Sequence, residues 1–161
     1  MLRRMDLTKY QHRDSVTVNA APEAVYAVVA DVTRIGELSP VCKRAQWTDD
    51  DHTRFTGDNE TPERQWTTHC RVDVAEPGKE FAFINCGMDG THELVRWSYT
   101  FAPAGDGTEV TEHWQVLPGY VEYVSGLAPG MDIEELLDGT VPRTKEGIAE
   151  TLGNLKAVAE S

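Results

Sequence analysis

The chain is poor in the residues that most often announce a chemistry. It has three cysteines, Cys42, Cys70 and Cys86, and no CxxC pair; its five histidines fall in no HExxH or CxxH spacing. No metal site is expected from such a set. An odd number of cysteines, all in strand-like segments, reads as reduced core thiols and not as a disulfide framework. There is no GxSxG elbow, P-loop or GxGxxG, so neither a serine nucleophile nor a phosphate cradle is announced, and no cofactor is expected. Positive charge is scarce as well: 15 Lys and Arg stand against 27 Asp and Glu, a net charge of −12. That balance argues against nucleic-acid partners and anionic membrane surfaces, and fits a solubility device. No run of about 18 apolar residues exists, so no membrane insertion is expected. The opening MLRRMDLTKYQHRD carries two arginines with no apolar segment behind them, which is not a secretory signal, and a cytoplasmic location is expected.

What is present is a soluble globular composition, 40% hydrophobic and 26% charged, in 161 residues. That is one domain, residues 1–161, with residues 1–12 polar, aperiodic and expected to fray. Residues 14–20 alternate Val16 and Val18 with polar neighbours, as a half-buried strand does. Pro22 and Glu23 suit the first turn of a helix over 22–31, with Val25, Val28 and Val29 on one side. A further short turn of helix over 34–38 stops at Ser39-Pro40. Six strand-and-turn units follow, at 41–47, 53–60, 64–75, 80–86, 92–102 and 108–117, with turn signals such as Glu76-Pro77-Gly78-Lys79 between them. Short connections imply an antiparallel meander.

Residues 118–138 hold two short apolar clusters, Tyr120 to Leu127 and Met131 to Leu137, interrupted by Pro129-Gly130. They read as two short helices, either a lid or plain packing. From 139 to 161, Ile148, Leu152, Leu155 and Ala159 recur at helical spacing. A long final helix with one apolar stripe closes the concave face of a curled sheet. The fold class is therefore α+β: a seven-stranded curved antiparallel sheet wrapped around a long C-terminal helix, with two short helices after the first strand. One helix does not fill so wide a face, so a cavity is expected between helix and sheet; Gly147 and Gly153 on that helix fit either close packing on the sheet or space for a guest.

Strand alternation assigns side chains to that face. Trp66, Thr68, Cys70, Val72 and Val74 share it on one strand. Val95, Trp97, Tyr99 and Phe101 share it on another, and Val110, Glu112, Trp114 and Val116 on the last. Phe81, Phe83 and Asn85 join them. Candidate ligand-facing residues are Trp66, Thr68, Cys70, Phe83, Asn85, Trp97, Tyr99 and Trp114 on the sheet, Met131 on the lid segment, and Ile148 and Leu152 on the final helix. Aromatics in such positions also fill ordinary cores, but four rings beside a few polar anchors describe a binding pocket.

Glu112 is the candidate catalytic residue. An inward carboxylate is costly unless paired or in contact with water or ligand, and burial raises its pKa toward values useful to a general acid or base. The competing reading is an ion pair with Arg64, Arg71 or Arg96. A one-residue slip of register would turn Glu112 out and His113 in, with His69 as a second candidate. In the register given, both histidines lie exposed on the convex face.

The order of elements and several stretches resemble the START-like (SRPBCC, helix-grip) superfamily, and within it the bacterial polyketide cyclase/dehydrase and lipid-transport family. The carrying residues are VTVNAAPEAVYAVVADVTRIGELSP at 16–40, TRFTGDN at 53–59, WTTHCRVDVAEPGKEFAF at 66–83, VRWSYTFAPAGDGTEVTEHW at 95–114 and TLGNLK at 151–156. One departure is Leu38, where the family often has Trp before Ser-Pro. The resemblance implies a cavity for a lipid, a polyketide or another bulky apolar molecule, and no single chemistry. The leading expectation is a hydrophobic small-molecule binder, monomeric or homodimeric. The alternative is a polyketide cyclase/dehydratase-like enzyme with Glu112 as proton shuttle and Asn85 and Tyr99 as orienting groups; a non-catalytic interaction protein is the third.

Overall fold

A computed structural model describes residues 5–161. It contains β1 (Gln11–Val18), α1 (Pro22–Ala30), a 3-10 helix (Val32–Glu37), and six further strands. These are β2 (Cys42–Trp47), β3 (Arg54–Thr61), β4 (Arg64–Glu76), β5 (Glu80–Asn85), β6 (Val95–Ala104) and β7 (Gly107–Val116). Then come α2 (Gly119–Leu127) and α3 (Ile133–Ala159). The seven strands form one sheet in the order β1-β7-β6-β5-β4-β3-β2, every neighbouring pair antiparallel. The sheet curls around the long C-terminal helix in the helix-grip arrangement.

Local chemistry explains the elements. Pro22 supplies the preset φ of the first helical turn and Glu23 its negative charge, while Val25, Val28 and Val29 are buried. Asp31 then accepts from the Thr33 amide at 3.1 Å, closing α1 and capping the 3-10 turn. Gly78, at φ +73°, makes the β4–β5 turn that Pro77-Gly78 announces, in a backbone region that a side chain disfavours.

α3 is one continuous helix, so the separate short helix expected over residues 131–137 is in fact its first two turns. Asp132 caps it by accepting from the Glu135 amide at 3.1 Å. Pro142 lies inside it on an exposed side. There water can take the carbonyl that proline leaves without a donor. Leu137, Ile148, Thr151, Leu152 and Leu155 are its buried face, and the helix packs mainly over β1 and α1. Each aliphatic side chain there contributes about 1.5–3 kcal/mol by leaving water. The two glycines do not serve close packing on the sheet: a Cβ on Gly147 would only touch Pro40 at 4.0 Å, and one on Gly153 would meet open space.

The N-terminal segment is also tied down where fraying was expected. β1 begins at Gln11, Met5 and Leu7 pack on the core, and Tyr10 is 1% exposed. The Tyr10 hydroxyl donates to Asp138 Oδ1 at 2.7 Å, stitching this segment to α3. Residues 1–4 of that expectation lie outside the described residues.

Candidate functional site

Antiparallel partners point to the same side of a sheet, so the register sorts the side chains directly. One row across the concave face reads Phe81, Tyr99, Glu112, Asp14; the next reads Val72, Phe83, Trp97, Trp114, His12. Toward the β2 edge the same face carries Cys70 opposite Asn85 and Phe55, Thr68 opposite Gly57, and Trp66 opposite Asn59. One assignment shifts. A bulge between Val72 and Val74 inserts a residue into β4, and Val74 pairs with Ala82 on the convex side instead of lining the concave one.

Cover is uneven along this face. At one end α1 seals it, with Tyr26 edge-on to Phe81 and Phe101 at ring distances of 6.3 and 5.6 Å. Near α3 it is dry: Trp114, Val110, Ile148 and Leu152 are buried. Toward β3, β4 and β5 it stays half open, and Trp66, Phe83, Asn85 and Trp97 are all half-buried. α2, which follows β7 here, has no buried residue of its own. Its Tyr123 hydroxyl accepts from the Met88 amide at 3.1 Å, tying it to the loop after β5. Two surface hollows lie elsewhere: one of about 80 Å³ by Arg54, His69 and Gly90, another of about 650 Å³ between residues 5–8 and the start of α2.

Glu112 points into the concave face and is 2% exposed. Tyr99, its partner across the β6–β7 ladder, donates to Oε2 at 2.9 Å, and Oε1 has no partner. Burial pushes the Glu112 carboxyl up to about 8, with the Tyr99 hydrogen bond opposing and the facing Asp14 adding to the rise. Burial, then the Glu112 charge, holds the Tyr99 phenol well above its usual range, so it remains a donor. None of the three arginines considered as partners reaches Glu112. Arg71 pairs with Asp73 and Glu93, and Arg96 with Asp73 and Glu80, on the convex face. Arg64 lies over the Trp66 ring.

A polar band completes the floor. Asn59 Nδ2 lies within 3.3 Å of the Thr68 hydroxyl and of the Gly57 and Trp66 carbonyls. Gly57 makes room for Cys42, whose Sγ would sit 3.1 Å from any Cβ there. Burial pushes the Cys42 and Cys70 thiols up to about 11 and about 12, so both stay protonated and unreactive. Among the described residues, no three His, Cys, Asp or Glu are grouped to hold a metal.

Two expectations are corrected. Met131 sits in the turn between α2 and α3, 48% exposed, and does not form a buried pocket wall. His113 lies on the convex face as the register requires, but it is 9% exposed, its Nε2 3.1 Å from Gln11 Oε1. Burial, then Arg13 and Arg96, lowers its pKa. His69 is exposed on that face. Sequence reasoning did not single out Asn59, Cys42 or Asp14. Strand alternation across β3 and β1 carried the signal for Asn59 and Asp14; a bulge between Cys42 and Arg44 breaks it for Cys42.

Comparison with known proteins places this geometry. Residues 11–160 match the family model described as polyketide cyclase / dehydrase and lipid transport. No curated protein matches the chain. The solution structure of the polyketide-cyclase-like protein Cgl2372 from Corynebacterium glutamicum is 35% identical, over 94% of this chain and 91% of that one, with a TM-score of 0.64. The Zhui aromatase/cyclase from Streptomyces sp. R1128 is 15% identical, over 93% of each chain, with a TM-score of 0.71. The di-domain aromatase/cyclase StfQ of the steffimycin pathway is 17% identical, over 94% of this chain and half of that one, with a TM-score of 0.71. The latter two likenesses are of fold.

Proposed function

The chain belongs to the polyketide cyclase / dehydrase and lipid transport family, and we propose that it binds a bulky apolar small molecule on the concave face, with Glu112 as its polar anchor. The carrying observation is the unpartnered Glu112 Oε1 at the inner end of an aromatic face whose outer half stays half-buried. With the acid protonated and Oε2 accepting from Tyr99, the unpartnered Oε1 carries the proton; a buried donor with no acceptor costs about 1–3 kcal/mol, and a guest offering one acceptor removes that cost. Half-buried Trp66, Phe83 and Trp97 supply the apolar wall. α2, which buries no residue, is the element that moves to admit the guest.

The test is quenching of tryptophan emission by pyrenebutanol, a neutral apolar probe, against wild type and W97A. Saturable micromolar quenching that W97A weakens supports the reading. No saturable binding up to the probe's solubility rejects it.

A second reading rests on the protonation state of Glu112. A carboxylic acid held neutral near pH 7 and touching Tyr99 can give a proton to, or take one from, an enol or carbonyl, as a cyclisation requires. Shape and one proton relay suffice for such a reaction. Turnover of a reactive poly-β-ketone that E112Q abolishes supports this reading, and equal turnover by both proteins rejects it.

A further inference from the structure

We propose that the guest is an amphipathic carboxylate, its anionic head held by Arg64 at the open end of the concave face and its apolar body laid inward along Trp66 and Trp97. This rests on the cleft reading above and names the class of molecule the cleft selects.

Arg64 is opposite Thr61, two residues from Trp66 opposite Asn59 and four from Thr68 opposite Gly57. It therefore shares the concave face with the candidate pocket residues. Its guanidinium carbon lies 4.2 Å from the centre of the Trp66 ring. Stacking of this kind occupies the face of the guanidinium and leaves its in-plane N–H groups free to grip a planar oxyanion two at a time. Arg34, Arg44, Arg71 and Arg96 are each paired with a carboxylate. Among the described residues, Arg64 makes no ion pair and no side-chain hydrogen bond. Arg13, Arg54 and Arg143 are likewise outside these pairs, but Arg13 and Arg54 lie opposite His113 and Arg71 on the convex face and Arg143 is on α3, whereas Arg64 lies against Trp66 on the concave face.

The position is also the mouth. Tyr120, on α2, lies close enough for the Arg64 charge to oppose the rise that burial gives its phenol. Arg64 thus faces the helix that covers the half-open end. The opposite end sets the orientation. Asp14 faces Glu112 there across β1 and β7, and an anionic head placed beside that carboxylate and the apolar wall would meet like charge and lose its hydration. The head therefore lies outward at Arg64, and the inner end of the guest is uncharged, where an acceptor would meet the Glu112 O–H. Exposure of the arginine favours reversible, salt-sensitive capture over a permanent pair.

The experiment compares pyrenebutanoate with pyrenebutanol, which share an apolar body and differ in charge. Each is titrated against wild type, R64Q and R64K at low and raised salt. Wild type is expected to prefer the carboxylate by about tenfold, and raised salt to shrink that preference. R64Q should lose the preference while keeping its affinity for the alcohol, which also shows that the variant is folded. R64K should keep part of the preference, since it retains the charge without the planar fork. Equal affinity of wild type for the two probes overturns the proposal, as does R64Q weakening both probes equally. Binding of neither probe instead overturns the cleft reading on which the proposal rests.

Discussion

The Tyr99 hydroxyl and the Glu112 carboxyl form a buried pair across β6 and β7, 2.9 Å apart, in which one oxygen of the acid is satisfied and the other is not. A buried structural acid is ordinarily saturated with donors. This one is half saturated, faces an aromatic wall, and is kept protonated by its surroundings.

The protonation state has a thermodynamic signature. The folded protein holds the Glu112 proton up to about pH 8, whereas the unfolded chain releases it near the ordinary value of 4.5. Between those values the folded state binds more protons, so the Glu112 contribution to stability is fully present below about pH 4.5 and is lost as pH rises through 8. The slope is at most about 1.4 kcal/mol per pH unit. E112Q, which cannot titrate, should lack that slope. Urea midpoints of the two proteins from pH 5 to pH 9 are then expected to diverge, with E112Q gaining on wild type at the alkaline end. Parallel curves would contradict the assignment.

Removing the Tyr99 hydroxyl isolates the pair. Y99F leaves both Glu112 oxygens without a donor and is expected to cost about 1–3 kcal/mol of unfolding free energy. The same substitution in an E112L background should cost less, because the group it strands is gone. Additive losses in a denaturant double-mutant cycle would show that the two side chains do not act together.

Core and candidate pocket should separate by mutation. I148A and W114A remove fully buried side chains and are expected to cost about 2–5 kcal/mol. W66A removes a half-buried ring near an opening and should cost clearly less while weakening probe binding. A W66A loss of stability as large as that of W114A would place Trp66 in the core instead.

The N-terminal segment is a part of the fold by the same criterion. Y10F removes the bond to Asp138 and is expected to lower stability by about 1 kcal/mol. Y10A, which also empties a buried ring site, should cost about 3–5 kcal/mol. Thermal midpoints for both variants unchanged from wild type would mean that residues 5–10 are peripheral.

The inward set on β6 and β7, from Val95 to Phe101 and from Val110 to Val116, is legible in the sequence because clean alternation of two fixes a face once either end is known. Glu112 could be placed inward from its flanking Val110 and Trp114 for that reason. Other features depend on contacts distant in sequence. The bulge at β4 that sends Val74 outward leaves no alternation signal, since both faces of that stretch carry mixed residues. His113 is buried because Gln11, Arg13 and Arg96 surround it on the convex side, and local pattern does not show tertiary cover. The fusion of two helical clusters into α3 ran against Gly139 and Pro142, whose breaking tendency loses to packing of Leu137 and Ile148 on the same stripe. Tyr10 is ordered by Asp138, 128 residues away.

The measurement that reaches the central claim most directly is carbon NMR of the Glu112 carboxyl in glutamate-labelled protein, assigned with E112Q and titrated with and without saturating pyrenebutanol. Glu112 as the anchor of a guest predicts a resonance that titrates near pH 8 in the free protein and moves when the probe fills the face. A carboxyl that titrates at its ordinary value, or whose resonance ignores a bound probe, would contradict it.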